Sequence, residues 1–233
     1  FYGNSPNEVA GYGGSLPATN RSVDPLLVAP TAANFRLQAG SPCIGQDGAD
    51  YPDTGPGDDY DGYARPFGAW WDIGAHEFYT GTCFLRVNGG QVYTTVQAAV
   101  NAAGTGNVVK IAGLCTDDTS QVVDVNQAVT LQGGYTRTYW STADPVAFPT
   151  ILDGEGARRV IRVTTSGPAA IEGLHIRNGY VAADDGAGIY VNNGSNVQIL
   201  NNWIYSNTVE GNRSGGGVYI VGNSSQVVTG NEI

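Results

Sequence analysis

The sequence predicts an all-β chain and, within that class, a right-handed parallel β-helix: a solenoid of short strands entered through a short capping helix. Three observations carry this. The run Gly188-Ile189-Tyr190-Val191 is answered 29 residues later by Gly217-Val218-Tyr219-Ile220, and at the same offset Ile199 meets Val228, Asn202 meets Asn231 and Ile204 meets Ile233. One turn earlier the step is 28, with Ile161 and Val163 preceding Ile189 and Val191, and Ile171 and Ile176 preceding Ile199 and Ile204. Each unit also holds two or three short stretches of alternating apolar residues, parted by Gly, Asn and Ser turns. Finally, 34 glycines with only 14% charged residues suit short strands and tight turns rather than disorder. A unit this small encloses no core alone, whereas stacked units place Ile on Ile and Val on Val. Each such side chain, fully buried, contributes roughly 1.5–3 kcal/mol. An antiparallel sandwich also has short strands, but it needs hairpin signals at irregular spacing; the fixed step favours parallel coils.

The start of the solenoid is legible as a change of period. From Tyr93 to Ala103, apolar residues fall at Val96, Ala99, Val100 and Ala103, the spacing of a short amphipathic helix. Gly104 is expected to end it, and Val108-Val109-Lys110-Ile111-Ala112 to begin the first strand. A helix there protects the open end of the core and blocks stray strand addition.

From Tyr93 through Val108-Val109-Lys110-Ile111-Ala112-Gly113, Val129-Thr130-Leu131-Gln132-Gly133-Gly134-Tyr135 and Ile151-Leu152-Asp153-Gly154, the chain resembles the start of a pectin-lyase-like parallel β-helix. A second resemblance lies in Asn34-Phe35-Arg36-Leu37-Gln38-Ala39-Gly40-Ser41-Pro42-Cys43-Ile44-Gly45, Asp61-Gly62-Tyr63-Ala64-Arg65-Pro66 and Asp72-Ile73-Gly74-Ala75-His76-Glu77. These runs are similar to the segment that ends bacterial surface β-helices of the choice-of-anchor Q type, although that family commonly has Tyr where His76 stands. The resemblance implies an irregular terminator and a secreted or surface-attached protein.

In such proteins the terminator comes last; here it precedes the capping helix, so the order is circularly permuted. Residues 1–35 then read as the last coil or coils of a preceding β-helix, 36–78 as the terminator, 79–92 as a linker and entry strand, and 93–233 as the capping helix and the start of the next β-helix. Joining the end to the start gives Asn-Glu-Ile-Phe-Tyr-Gly-Asn, which reproduces Asn202-Trp203-Ile204-Tyr205-Ser206-Asn207 with one residue inserted. Phe1, Tyr2, Asn4, Asn231 and Ile233 are therefore the candidate self-assembly junction. Two arrangements fit: one period of a covalent tandem array, or separate subunits stacked head-to-tail into a filament. The alternative is a segment spanning the junction of two different β-helix domains.

Lys+Arg of 11 against Asp+Glu of 21 gives a formal charge of −10, which opposes binding to nucleic acid or anionic membranes. No apolar run approaches the roughly 18–20 residues needed to span a bilayer. The sequence holds no leader and no Met, so an extracellular or cell-surface location is inferred on the expectation that a leader was removed or lies outside it. Of three cysteines, Cys83 and Cys115 are favoured as a disulfide because they flank the start of one unit, with Cys43 a small core residue; the alternative is three buried thiols.

The acidic residues offer candidate chemistry. Asp184-Asp185 resembles a glycosidase acid pair but sits in a Gly-bounded turn. Asp153, Glu155, Arg158 and Arg159 can line a face, yet Asp153-Gly154 reads more plainly as a turn, and adjacent strand residues point apart. His175 reads as an outward strand residue. No catalytic residue is assigned, and the chain is expected not to be an enzyme. Asp47, Asp50, Asp53, Asp58, Asp59 and Asp61 crowd into 15 residues, making Asp58, Asp59 and Asp61 candidate Ca²⁺ ligands against a solvated acidic loop; no cofactor is certain. Asp61 with Arg65, and Asp72, are candidate braces of the terminator. Asn202 and Asn231, with Asn178 nearby, read as stacked amide turns. Asn20, Asn193, Asn212 and Asn223 head glycosylation sequons, and Trp70, Trp71, Tyr139, Trp140 and Trp203 are candidate platforms for sugars or for a neighbouring copy. The expected function is a structural repeat unit of an extracellular fibre, adhesin or sheath, its partners being copies of itself. The alternatives are a carbohydrate-active β-helix enzyme or a carbohydrate-binding surface module, with a polysaccharide partner.

Overall fold

The computed structural model describes residues 24–32, 34–45, 59–60, 72–78, 81–117, 119–192, 196–222 and 226–233. The chain divides into two compact units, Phe1–Thr80 and Gly81–Ile233. Strands dominate the described residues, with a single α-helix and sheets that are largely parallel.

In the first unit, β1 (Leu27–Ala29) and β2 (Asn34–Leu37) pair antiparallel around a 3-10 turn at Pro30–Ala32. Among the described residues, the segments that follow are tied together by carboxylates bonded to backbone. Asp72 accepts from the N–H groups of Gly45 and Phe78, Glu77 accepts from the Asp72 N–H, and Asp59 accepts from the Glu77 N–H. All three acids are buried, and hydrogen bonds of this charge-assisted kind are the stronger ones. His76, also buried, meets Tyr60 edge-on at 5.3 Å.

The second unit opens with β3 (Cys83–Val87), β4 (Val92–Tyr93), α1 (Val96–Ala102) and β5 (Val108–Cys115). The Thr95 hydroxyl caps the helix by accepting from the Ala98 N–H at 3.3 Å, and Val96, Ala99 and Val100 are buried. The helix ends one residue before Gly104 was expected to stop it. Ala103 is already extended, its N–H bonds the Val100 carbonyl, and the Gly104 N–H is taken by Asn107 Oδ1.

Three parallel passes follow. The first holds β6 (Gln121–Val125), β7 (Thr130–Tyr135) and β8 (Thr150–Asp153). The second holds β9 (Arg159–Val163), β10 (Ala169–Glu172), β11 (Leu174–Arg177) and β12 (Tyr180–Val181). The third holds β13 (Ile189–Asn192), β14 (Val197–Leu200), β15 (Trp203–Tyr205) and β16 (Thr208–Val209). A shorter fourth pass has β17 (Val218–Val221), β18 (Val227–Thr229) and a bridge from Glu232 to Trp203.

Like strands pair with like in successive passes. Val123, Ile161, Ile189 and Val218 are in register along β6-β9-β13-β17. Leu131, Ile171, Ile199 and Val228 are in register along β7-β10-β14-β18. Leu152, Ile176 and Ile204 are in register along β8-β11-β15. Leu131, Leu152, Ile161, Ile171, Ile176, Ile189 and Ile199 are wholly buried. The alternation of strand side chains sends these residues inward and their neighbours outward.

At the entry to this array β3, within the 79–92 segment, runs antiparallel along β5 from Cys83↔Gly113 to Val87↔Val109. Gly113, at φ 84°, permits this approach, since a Cβ there would lie 2.1 Å from the Thr82 carbonyl oxygen. Cys83 and Cys115, the pair favoured from the sequence, are joined by a disulfide, and Cys43 is a buried free thiol.

Candidate functional site

The corners between strands show how successive passes recognise one another. The chain turns through positive φ at Gly173, Asn201 and Gly230, and at a second corner through Asn178 and Ser206. Such residues take neighbouring backbone groups out of the sheet ladder, and buried groups need other partners. An asparagine one pass later supplies both. Asn202 Oδ1 accepts from the Leu174 N–H at 3.0 Å while its Nδ2 donates to the Ile171 carbonyl at 2.9 Å. Asn231 repeats this on the third pass, accepting from the Asn202 N–H at 2.9 Å and donating to the Ile199 carbonyl at 2.7 Å. Asn207 does the same at the second corner, with the Gly179 N–H at 2.7 Å and the Ile176 carbonyl at 2.9 Å.

Sequence reasoning placed Asn178 beside the Asn202/Asn231 ladder and missed Asn207. Asn178 instead donates to both Asp153 carboxylate oxygens. The signal that finds Asn207 is an asparagine directly after the corner residue, as in Asn201-Asn202, Ser206-Asn207 and Gly230-Asn231.

At the far end of the array the inward positions lose their cover. Ile199 and Ile204 are 0% and 1% exposed, while Val228 and Ile233 are 44% and 72% exposed and Val218 and Ile220 are half-buried. Among the described residues, β17 and β18 each pair on one side only. Asn231 and Ile233 of the candidate junction stand at this edge; Phe1, Tyr2 and Asn4 lie outside the described residues.

The candidate acids are each engaged by other groups: Asp153 and Glu155 line one groove, and Asp184 is held by Arg159. Burial pushes the Asp153 carboxyl upward, but the Glu155 N–H, the Asn178 amide and the Arg177 guanidinium outweigh it and hold it below the ordinary carboxylate range. Glu155 pairs with Arg158. Arg159 bonds Asp184 at 2.5 Å and the carbonyls of Asp185 and Gly186, so the hydrogen bond from Arg159 is the main reason Asp184 sits below its usual range. Asp185 accepts instead from the Ser214 N–H one pass on. Arg158 and Arg159 thus have different partners, Glu155 and Asp184.

The outer faces carry their own ladders. Arg159 lies 4.8 Å over Tyr190, which stacks on Tyr219 at 5.7 Å. His175 stacks on Trp203 at 4.8 Å, and burial, then the charge of Arg177, lowers its pKa. Trp140 is half-buried against Tyr135, Tyr139 is exposed, and Trp70 and Trp71 fall outside the described residues. A groove of about 420 Å³ runs past Asp153, Glu155, Asn178, Tyr180, Ser206 and Thr208.

Among the proposed Ca²⁺ ligands, Asp59 is buried and spends one oxygen on the Glu77 N–H, while Asp58 and Asp61 fall outside the described residues. The described residues contain no group of three or more His, Cys, Asp or Glu arranged to hold a metal ion. The Asp47, Asp50, Asp53 and Arg65 positions, and the sequons at Asn20, Asn193 and Asn223, also lie outside them; Asn212 is exposed. Asp72, expected to hold the final turn of the terminator, is the carboxylate that bonds Gly45 and Phe78.

The chain was compared with models of protein families, with curated proteins and with solved structures. None matched. Among the described residues no helix is long and apolar enough to cross a membrane.

Proposed function

We propose that this chain is a structural repeat unit or subunit of an extracellular fibre or cell-surface array, built as a right-handed parallel β-helix that assembles head-to-tail. The observation that carries the reading is the in-register stacking of like residues on parallel strands of successive passes, Ile161 with Ile189, Ile171 with Ile199 and Ile176 with Ile204. A pattern that pairs with a copy of itself at each step is also a template for a further copy. A contact between two different surfaces of identical subunits does not close on itself and extends into a filament. Two features agree with this. The acids that catalysis would need are committed to Arg177 and Arg159, and a disulfide suits an oxidising compartment outside the cell.

Sedimentation velocity and negative-stain microscopy of the full chain across a concentration series test the proposal. Unbranched filaments that grow with concentration are the expected result. A uniform 24.3 kDa monomer at every concentration would sink it, and intact mass separates a covalent array from stacked subunits.

A second reading, a carbohydrate-binding or carbohydrate-active module, is favoured by the polar groove beside Tyr180, whose lining of carboxylate, amide and hydroxyl groups suits sugar hydroxyls. Release of reducing sugars from a polysaccharide panel, or saturable glycan binding by dispersed particles, would support it over the first.

A further inference from the structure

We infer that the groove beside Tyr180 holds an uncharged linear glycan lengthwise and discriminates against a polyuronate. This rests on the carbohydrate-binding reading of that groove, names its ligand class, and is independent of head-to-tail assembly.

The groove crosses three successive passes. Asp153, Glu155 and Gly156 line it on the first, Asn178, Gly179 and Tyr180 on the second, and Ser206 and Thr208 on the third. Asp153, Arg177 and Tyr205 are in register, so the corner residues that follow them stack along the axis at the strand spacing, about 4.8 Å. Polar groups repeated at that step suit a ligand that itself repeats, and an extended sugar chain presents hydroxyls at every ring. At Gly156 a side chain would meet nothing within 4 Å, so the wall is open there. The volume, about 420 Å³, lies within the range of roughly 300–1,000 Å³ found for small-molecule sites.

Charge then selects the ligand. Among the described residues no lysine, arginine or histidine lines the groove. The two arginines beside it are committed, Arg177 to Asp153 at 2.8 Å and Arg158 to Glu155. The Tyr180 hydroxyl donates to Glu210, which brings a further carboxylate to the rim. A ligand carrying a carboxylate on each ring meets like charge without an available cation, and such juxtaposition rejects a partner. Sugar hydroxyls both donate and accept, and they find matching groups. Asn178 spends its Nδ2 on both Asp153 oxygens, which leaves its Oδ1 to accept, and the Ser206 and Thr208 hydroxyls serve in either sense.

The test titrates the full chain, isotope-labelled, with α- and β-linked oligosaccharides of glucose and mannose and with an oligogalacturonate of equal length. Backbone amide shifts at Gly156, Gly179 and Thr208 locate the site, and their titration gives the affinity. At least one neutral chain is expected to bind there about tenfold or more tightly than the uronate. Thr208→Val removes a hydroxyl while keeping the shape, and is expected to weaken that neutral chain about three- to tenfold. Glu210→Gln keeps an acceptor for Tyr180 and removes the charge, so it is expected to strengthen the uronate alone. A uronate that binds as well as the neutral chains, or neutral binding that leaves the three amides unmoved, would overturn the inference and leave the carbohydrate-binding reading standing. Binding by neither class would overturn both.

Discussion

The first and last described passes of the second unit differ in how their strand edges are covered. A parallel array of strands always leaves an edge at its first and last pass, and exposed edges invite pairing with other chains. At the entry, β3 closes the edge of β5 with an antiparallel strand, which a further parallel pass cannot displace without breaking that pairing. α1 buries Val96, Ala99 and Val100 beside it, and Cys83–Cys115 ties the covering strand to the far end of β5. At the exit, Val218, Ile220, Val228 and Ile233 keep the inward positions of their counterparts below without the burial. The entry edge is therefore covered by an antiparallel strand, while successive passes pair with their like in parallel. Closing an edge takes a strand of the opposite direction; extending one takes only another copy of the same pattern.

Three measurements break or sharpen this contrast. The largest effect is expected at the closed end. Replacing Cys83 and Cys115 together by Ser opens a loop with a sequence separation of 32, which by the chain-entropy account costs about 3–4 kcal/mol of stability. Denaturant unfolding reads this directly, and a change under about 1 kcal/mol would show that β3 and α1 hold the entry without the covalent tie.

The next effect separates a closed corner from an open one. Asn202→Ala strands the Leu174 N–H and the Ile171 carbonyl in a buried corner, at about 2–3 kcal/mol. Asn231→Ala serves a corner that water reaches and should cost about 1 kcal/mol or less. Equal losses in the two variants would mean that the exit corner is as dry as the interior.

The smallest effect is a pH dependence. Asp153 has its pKa lowered in the folded chain, so its contribution is fully present above the unfolded value, about 3.9, and is lost as pH falls through the folded value. Arg177→Gln removes one of the groups that lower it, so acid unfolding of the variant should begin at a higher pH. Coincident acid-unfolding curves for variant and wild type, followed by circular dichroism, would remove Arg177 from that account.

Much of the array was legible because its information is local and repeated. Ile161 and Ile189, Ile171 and Ile199, and Ile176 and Ile204 can be aligned by counting, and strand pairing at that step follows once each apolar residue must lie over its like. The α1 stripe was visible for the same reason, as one local period. Asn207 was hidden because its partner one pass back is Gly179, so no asparagine repeats at that place in the preceding unit. The ion pairs Arg177–Asp153 and Arg159–Asp184 link residues of different elements with no repeat to mark them. Asp59 and Asp72 are used on backbone N–H groups, a role that depends on which loop ends meet.

What the sequence determined by itself is the step of 28–29 residues, the alternation within each strand and hence which side chains lie over one another, because hydrophobic burial acts on a pattern the chain repeats. What only the tertiary structure decided is how the entry is covered and how the corners are satisfied. The antiparallel pairing of β3 on β5 and the amide bonds of Asn202 and Asn207 depend on which backbone groups find partners across long separations, and a hydrogen bond to the backbone leaves no mark in the identity of the residue that provides it.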